Sequence, residues 1–174
     1  MATKKNQNGE IEHRRQEVQQ AVKNACDQMN SDGVAPRDYV EQLAWLFFLK
    51  AFDEMETRHE QESEFDDALY TRRLDGKYRW TTWSKKVERP DEMLEFVDGK
   101  LWRLLQNFGL ANDTKKFAND PIAERFQRIF STVRNHSRRG ASFARVVQQI
   151  NRLQFSNETD VIVLSEIYED LLKK

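Results

Sequence analysis

Apolar residues recur along this chain at intervals of three and four, in blocks separated by short polar breaks. From Ile11 to about Met29 the apolar set is Ile11, Val18, Ala21, Val22, Ala25 and Met29, in a background of Lys, Glu, Gln and Arg. That is the spacing of a helix with one wet face. Residues 1–10 lack the pattern and are expected to form a disordered tail. The break NSDG follows at Asn30–Gly33. Pro36, with Asp38 close behind, opens a second helix expected to run to roughly Arg58. It carries two apolar stripes, one of Tyr39, Leu43, Leu46 and Phe47 and one of Trp45, Phe48, Phe52 and Met55. A helix apolar on two sides is buried on two sides.

Residues 59–89 are mixed, and a loop with a short helix is expected there, with Trp80 and Trp83 clamped onto the core. A helix is predicted over about 91–107, opened by Pro90 and closed before Gly109. DPIAERFQRIFS places Ile122, Phe126, Ile129 and Phe130 on one side of a shorter helix. GASFARVVQQINRL does the same for Phe143, Val146, Val147 and Ile150. A last helix is expected to start near Asp160 as its N-cap, presenting Val161, Leu164, Ile167, Tyr168, Leu171 and Leu172. The fold predicted is all-α, a single helical bundle of about five to seven helices with long irregular connectors, over residues 11–174.

Composition agrees. Only six glycines and three prolines among 174 residues, with 33% charged, suit amphipathic helices better than a sandwich or barrel. The single cysteine, Cys26, excludes an internal disulfide. The longest apolar run, Leu43–Leu49, is far short of the about 20 residues that span a bilayer. With no signal-peptide pattern at the start, a cytoplasmic location without membrane is expected.

The net charge of −1 hides a division. Residues 41–67 hold nine acids and two bases, residues 72–89 seven bases and two acids, and residues 115–145 eight bases and two acids. Each block reads as a solvated surface or, more sharply, as one side of a polar molecule whose basic side faces nucleic acid. The bases cluster in TRRLDGKYRW and VRNHSRRG, segments suited to phosphate contacts rather than base reading. The candidate DNA-contacting residues are Arg72, Arg73, Lys77, Arg79, Lys85, Lys86, Arg134, Arg138 and Arg139.

Catalytic chemistry is not visible. His13, His59 and His136 are scattered, with no metal-ligand spacing. The glycines never occur as GxG, and no serine lies in an elbow motif. The carboxylate pairs Asp66/Asp67 and Glu54/Glu56 sit in acidic surroundings and are expected to be exposed. A helix-turn-helix over 142–153 and 160–173 would present Glu166, Glu169 and Asp170 to phosphates, which argues against a stand-alone DNA reader.

Several stretches in order carry a resemblance: YVEQLAWLFFLKAFDEME, YRWTTWS, FVDGKLWRLL, FQRIF and VIVLSEIYEDLL. Together, over roughly residues 11–172, they resemble the N-terminal helical domain of the modification (methyltransferase) subunit of type I restriction–modification systems, HsdM. Ser165 stands where that family commonly has glycine. The resemblance implies a parent that transfers methyl from S-adenosylmethionine to adenine N6 in DNA, with the catalytic domain downstream. The glycine-bearing cofactor loop and the Asn/Asp-Pro-Pro-aromatic motif are not in these residues; Pro36, Pro90 and Pro121 are never adjacent. The fragment is therefore expected to clamp DNA and assemble with a specificity subunit, a second modification subunit and, as a further candidate, a nuclease subunit. It would hold no cofactor and no metal itself. The alternative reading is a self-contained helical protein–protein interaction module, with Trp45, Trp80, Trp83 and Trp102 as core or anchor residues. A severed domain would expose an apolar patch around Ile167, Leu171 and Leu172.

Overall fold

The computed structural model describes residues 2–66 and 68–173; the side chains of residues 2–6, 168 and 170–172 lie outside what it describes. The elements are α1 (Ala2–Ser31), α2 (Tyr39–Phe65), α3 (Trp80–Trp83), α4 (Pro90–Glu95), α5 (Trp102–Gln106), α6 (Pro121–Thr132), α7 (Gly140–Asn151) and α8 (Glu158–Leu172). No strand occurs among the described residues. The all-α reading holds, with a helix count slightly above that expected.

Most buried faces are the ones the spacing marked; on α8 Val163 is buried and the expected Val161 is 43% exposed. α1 inserts Val18, Ala21, Val22, Ala25 and Met29, whereas Ile11 lies half in water. α2 buries both its stripes at the centre. An aromatic column crosses the molecule through it. Trp83 stacks on Phe143, Phe143 on Trp45, and Trp102 meets Trp45 edge-on at 5.1 Å and Phe130 at 5.0 Å. Such edge and offset contacts add to what burial alone supplies. All four tryptophans are buried. Their polar edges find partners where a bond is seen: Trp80 Nε1 donates to Asn151 Oδ1 and Trp102 Nε1 to the Phe130 carbonyl.

Three elements differ from their sequence readings. α2 continues past Arg58 to Phe65, and Glu60 in that extension accepts from Arg72 of the following connector. The helix expected over 91–107 is interrupted: α4 and α5 are joined by a π-helical segment, Phe96–Leu101. α8 is capped by Asn157, whose side chain accepts from the Asp160 N–H; Asp160 is instead fully buried inside the first turn. The backbone of α1 is helical from Ala2, and residues 7–10 are exposed. Where α7 begins, Gly140 packs on the start of α4 so closely that a Cβ would lie 2.6 Å from the Asp91 nitrogen.

Candidate nucleic-acid and subunit interface

Residues 70–79 lead from α2 to α3 with little regular structure beyond a 3-10 turn at Gly76–Tyr78, and two carboxylates of α2 hold them down. Glu56 accepts from the Arg73 N–H (2.7 Å), the Leu74 N–H (3.2 Å) and the Tyr70 hydroxyl (3.1 Å). Asp53, one turn earlier, accepts from the Arg72 guanidinium at 2.7 Å and from the Trp80 and Thr81 N–H groups that open α3. Both carboxylates are buried, which corrects the expectation that Glu56 is exposed. Burial raises both above the ordinary carboxylate value, opposed at Asp53 by the Arg72 charge and at Glu56 by the two backbone donors. Burial, the Glu56 charge and its hydrogen bond push the Tyr70 hydroxyl up to about 12.

This arrangement turns the connector's arginines inward. Arg72, expected to face DNA, is buried and donates to Asp53, Thr57 and Glu60. Arg73 donates to Asp120 at 2.6 Å and to the Tyr70 oxygen. At Asp120 burial would raise the carboxyl, but the Arg73 hydrogen bond, the Ile122 N–H and the Arg73 charge together hold it below the ordinary range. Arg79 lies half-buried, 4.0 Å from Glu60. Part of the acidic block of α2 thus pairs with the basic block that follows it, Asp53, Glu56 and Glu60 taking Arg72, Arg73 and Arg79. An arginine removed from water with a carboxylate is committed to that pair.

Of the nine candidate bases, three lysines and three arginines are left at the surface. Lys77, Lys85 and Lys86 are exposed and form no ion pair among the described residues. Arg134 and Arg138 are exposed too, on the extended strap 133–139 between α6 and α7. The fastener of that strap is Gln42, fully buried on α2. Its amide donates to Asn135 and Ser137, and its oxygen accepts from the His136 N–H at 2.7 Å. His136 also contacts Glu41. Arg139 is exposed but tied to Asp32 at 2.5 Å and to the Ser31 carbonyl. Burial pushes the Asp32 carboxyl up, yet the Arg139 bond and the Arg138 and Arg139 N–H groups hold it below its ordinary value.

The other end of the chain is tied by polar contacts as well. Arg14 of α1 donates to both oxygens of Asp160, at 2.7 and 2.6 Å, and to the Arg152 carbonyl. Val161 and Ile162 on α8 remain 43% and 47% exposed. Ile167 is part-buried against the core and lines a cavity of about 380 Å³ with Val22, Cys26, Pro36 and Tyr39. The side chains of Tyr168, Leu171 and Leu172 lie outside the described residues. So does Asp67.

Gln42, Glu56 and Asp160 were not singled out as anchors by the sequence reading. Their one signal is position: a polar residue at helical spacing within an apolar stripe. Among the described residues no group of three His, Cys, Asp or Glu side chains could hold a metal ion, and no helix is long and apolar enough to cross a membrane.

Comparison with known proteins places this geometry. The HsdM N-terminal domain family matches over residues 18–167. The EcoEI methylase subunit of a type I restriction enzyme from Escherichia coli is 29% identical over 160 residues, or 90% of this chain and 31% of that protein. A solved structure, from work on complex assembly and conformational transition of the type I R-M system, superposes with a TM-score of 0.76 at 30% identity. That match covers 91% of this chain and 30% of the other, so the chain spans about a third of the length of both relatives.

Proposed function

We propose that this chain, which belongs to the HsdM N-terminal domain family, is the assembly and DNA-clamping part of a type I restriction–modification methyltransferase subunit. The family match over residues 18–167 is the observation that carries the reading. In the proposed parent, methyl passes from S-adenosylmethionine to adenine N6 in duplex DNA, in the cytoplasm, and chemistry and cofactor belong to residues beyond this chain. Extruding an adenine from the duplex costs a few kcal/mol, so grip on the flanking DNA has value. The exposed bases Lys77, Lys85, Lys86, Arg134, Arg138 and Arg139 support such a grip. Arg72, Arg73 and Arg79 contribute indirectly, by holding the connector that carries Lys77. A partner of the kind a specificity subunit or a second modification subunit would supply fits the partly exposed Val161 and Ile162 on α8.

The test is reconstitution. The full-length subunit, mixed with its specificity subunit, should methylate adenine in duplex DNA. The same subunit lacking residues 1–174 should fail to assemble or to retain DNA. Equal assembly and methylation by the shortened form would overturn the proposal.

A further inference from the structure

Gly99 sits in the π segment between α4 and α5, and nothing in the protein asks for glycine there. Its φ is not in the left-handed region, and a Cβ built on it meets nothing within 4 Å. Glycine inside a helix is unfavourable relative to alanine, so a glycine without a turn or a tight contact invites another reason. One such reason is close approach of something outside the chain to the backbone. π segments are themselves frequent at functional sites.

Beside Gly99 runs a groove of about 460 Å³, lined by Tyr78, Lys100, Arg103, Leu110 and Asp113 among others. Lys100 and Arg103 are exposed and form no ion pair among the described residues. Two more cations reach the same place through an aromatic pair. Tyr78 and Phe96 lie with ring centroids 5.8 Å apart; Lys77 Nζ sits 5.2 Å from the Tyr78 centroid and Lys86 Nζ 6.0 Å from that of Phe96. A ring face restrains an ammonium group without neutralising it. Lys100 and Arg103 thus line the groove with the one carboxylate of Asp113, and Lys77 and Lys86 flank it, while Glu95 and Asp98 line the pocket on the other side of Gly99.

We propose that this groove seats the sugar–phosphate backbone of duplex DNA. Lys77, Lys86, Lys100 and Arg103 meet phosphates, and Gly99 is the point of closest approach. The inference rests on the reading of this domain as a DNA clamp and adds Gly99, Lys100 and Arg103, which that reading does not use.

The experiment is duplex binding by the full-length subunit reconstituted with its specificity subunit, followed by fluorescence anisotropy over a salt series. Three variants are compared: Lys100→Glu with Arg103→Glu, Gly99→Leu, and Arg134→Glu with Arg138→Glu on the strap. The groove pair should weaken binding at least tenfold and lower the salt slope by about two, one per lost phosphate contact. Gly99→Leu should weaken binding without lowering the thermal midpoint. Wild-type binding by the groove variants alongside weakened strap variants would overturn the groove while leaving the clamp reading standing. Wild-type binding by all three would overturn both. Loss of subunit assembly in sedimentation, with the salt slope intact, would make the groove a protein contact and overturn the proposal.

Discussion

At Glu56 a single carboxylate accepts a hydroxyl and two backbone N–H groups away from water. Replacing it with alanine leaves two donors buried without acceptors, and urea denaturation should show a loss of about 2–4 kcal/mol. Glu56→Gln keeps an acceptor and should lose less. The two differ from wild type in pH dependence as well. Burial raises the Glu56 carboxyl above its ordinary 4.5, so the folded state holds the proton more tightly than the unfolded chain. That contribution is fully present below 4.5 and is lost as pH rises through the raised value. Urea midpoints measured from pH 4 to 7 should show this decline in wild type and a flatter profile in Glu56→Gln. Two glycines make an opposed pair at the same scale. Gly140→Ala drives a methyl into the Asp91 backbone and should cost about 1–3 kcal/mol. Gly99→Ala adds a methyl to open space and should gain up to about 1 kcal/mol, so thermal midpoints should move in opposite directions.

Among the elements, α8 is the one whose place depends most on polar contacts. Asn157→Ala removes its cap and should cost about 1 kcal/mol. Asp160→Ala also removes the two-oxygen, fully buried partner of Arg14, leaving it only Glu17 and the Arg152 carbonyl, and should cost more. Hydrogen exchange should quicken along α8 in both variants while α7 amides stay protected. Local pattern marked Asp160 as the cap; in the fold Asn157 caps the helix and Asp160 is engaged by Arg14 of α1, a contact 146 residues away in sequence. α2 teaches the same lesson. Its apolar stripes were legible; its start was read three residues early, at Pro36, where a 3-10 turn leads into Tyr39. Its last turns, past Arg58, looked like loop because their acids are solvated, and only the fold reveals Glu60 there, with Asp53 and Glu56 earlier in the helix, as partners of the 70–79 connector. The π segment left no mark in the apolar spacing, since Val97, Leu101 and Leu105 keep the helical interval of four.

Over the whole molecule the charge map is the part most changed by folding. Helix order and most of the apolar core were readable from spacing; the buried polar groups Gln42, Asp53, Glu56, Arg72 and Asp160 were not. The acidic block of α2 and the basic block after it looked like two surfaces, yet they fold onto each other. This divides the nine candidate bases by consequence. Arg72→Glu places a like charge beside Asp53 and should destabilise by at least about 3 kcal/mol, with any DNA effect following from unfolding. Lys85→Glu with Lys86→Glu should leave the urea midpoint unchanged and lower the salt slope of DNA binding by the assembled enzyme.

The four tryptophans lie on α2, α3 and α5, all buried, and none lies on α1 or α8. Their emission therefore reports on the centre of the molecule alone. Far-UV ellipticity, in contrast, weighs heavily the 30-residue α1 and the 15-residue α8. If the pair formed by the first and last helices separates ahead of the rest, ellipticity will fall in urea while the emission maximum stays blue. If the two curves superimpose, the polar ties between those helices are strong enough to make the entire chain one cooperative unit.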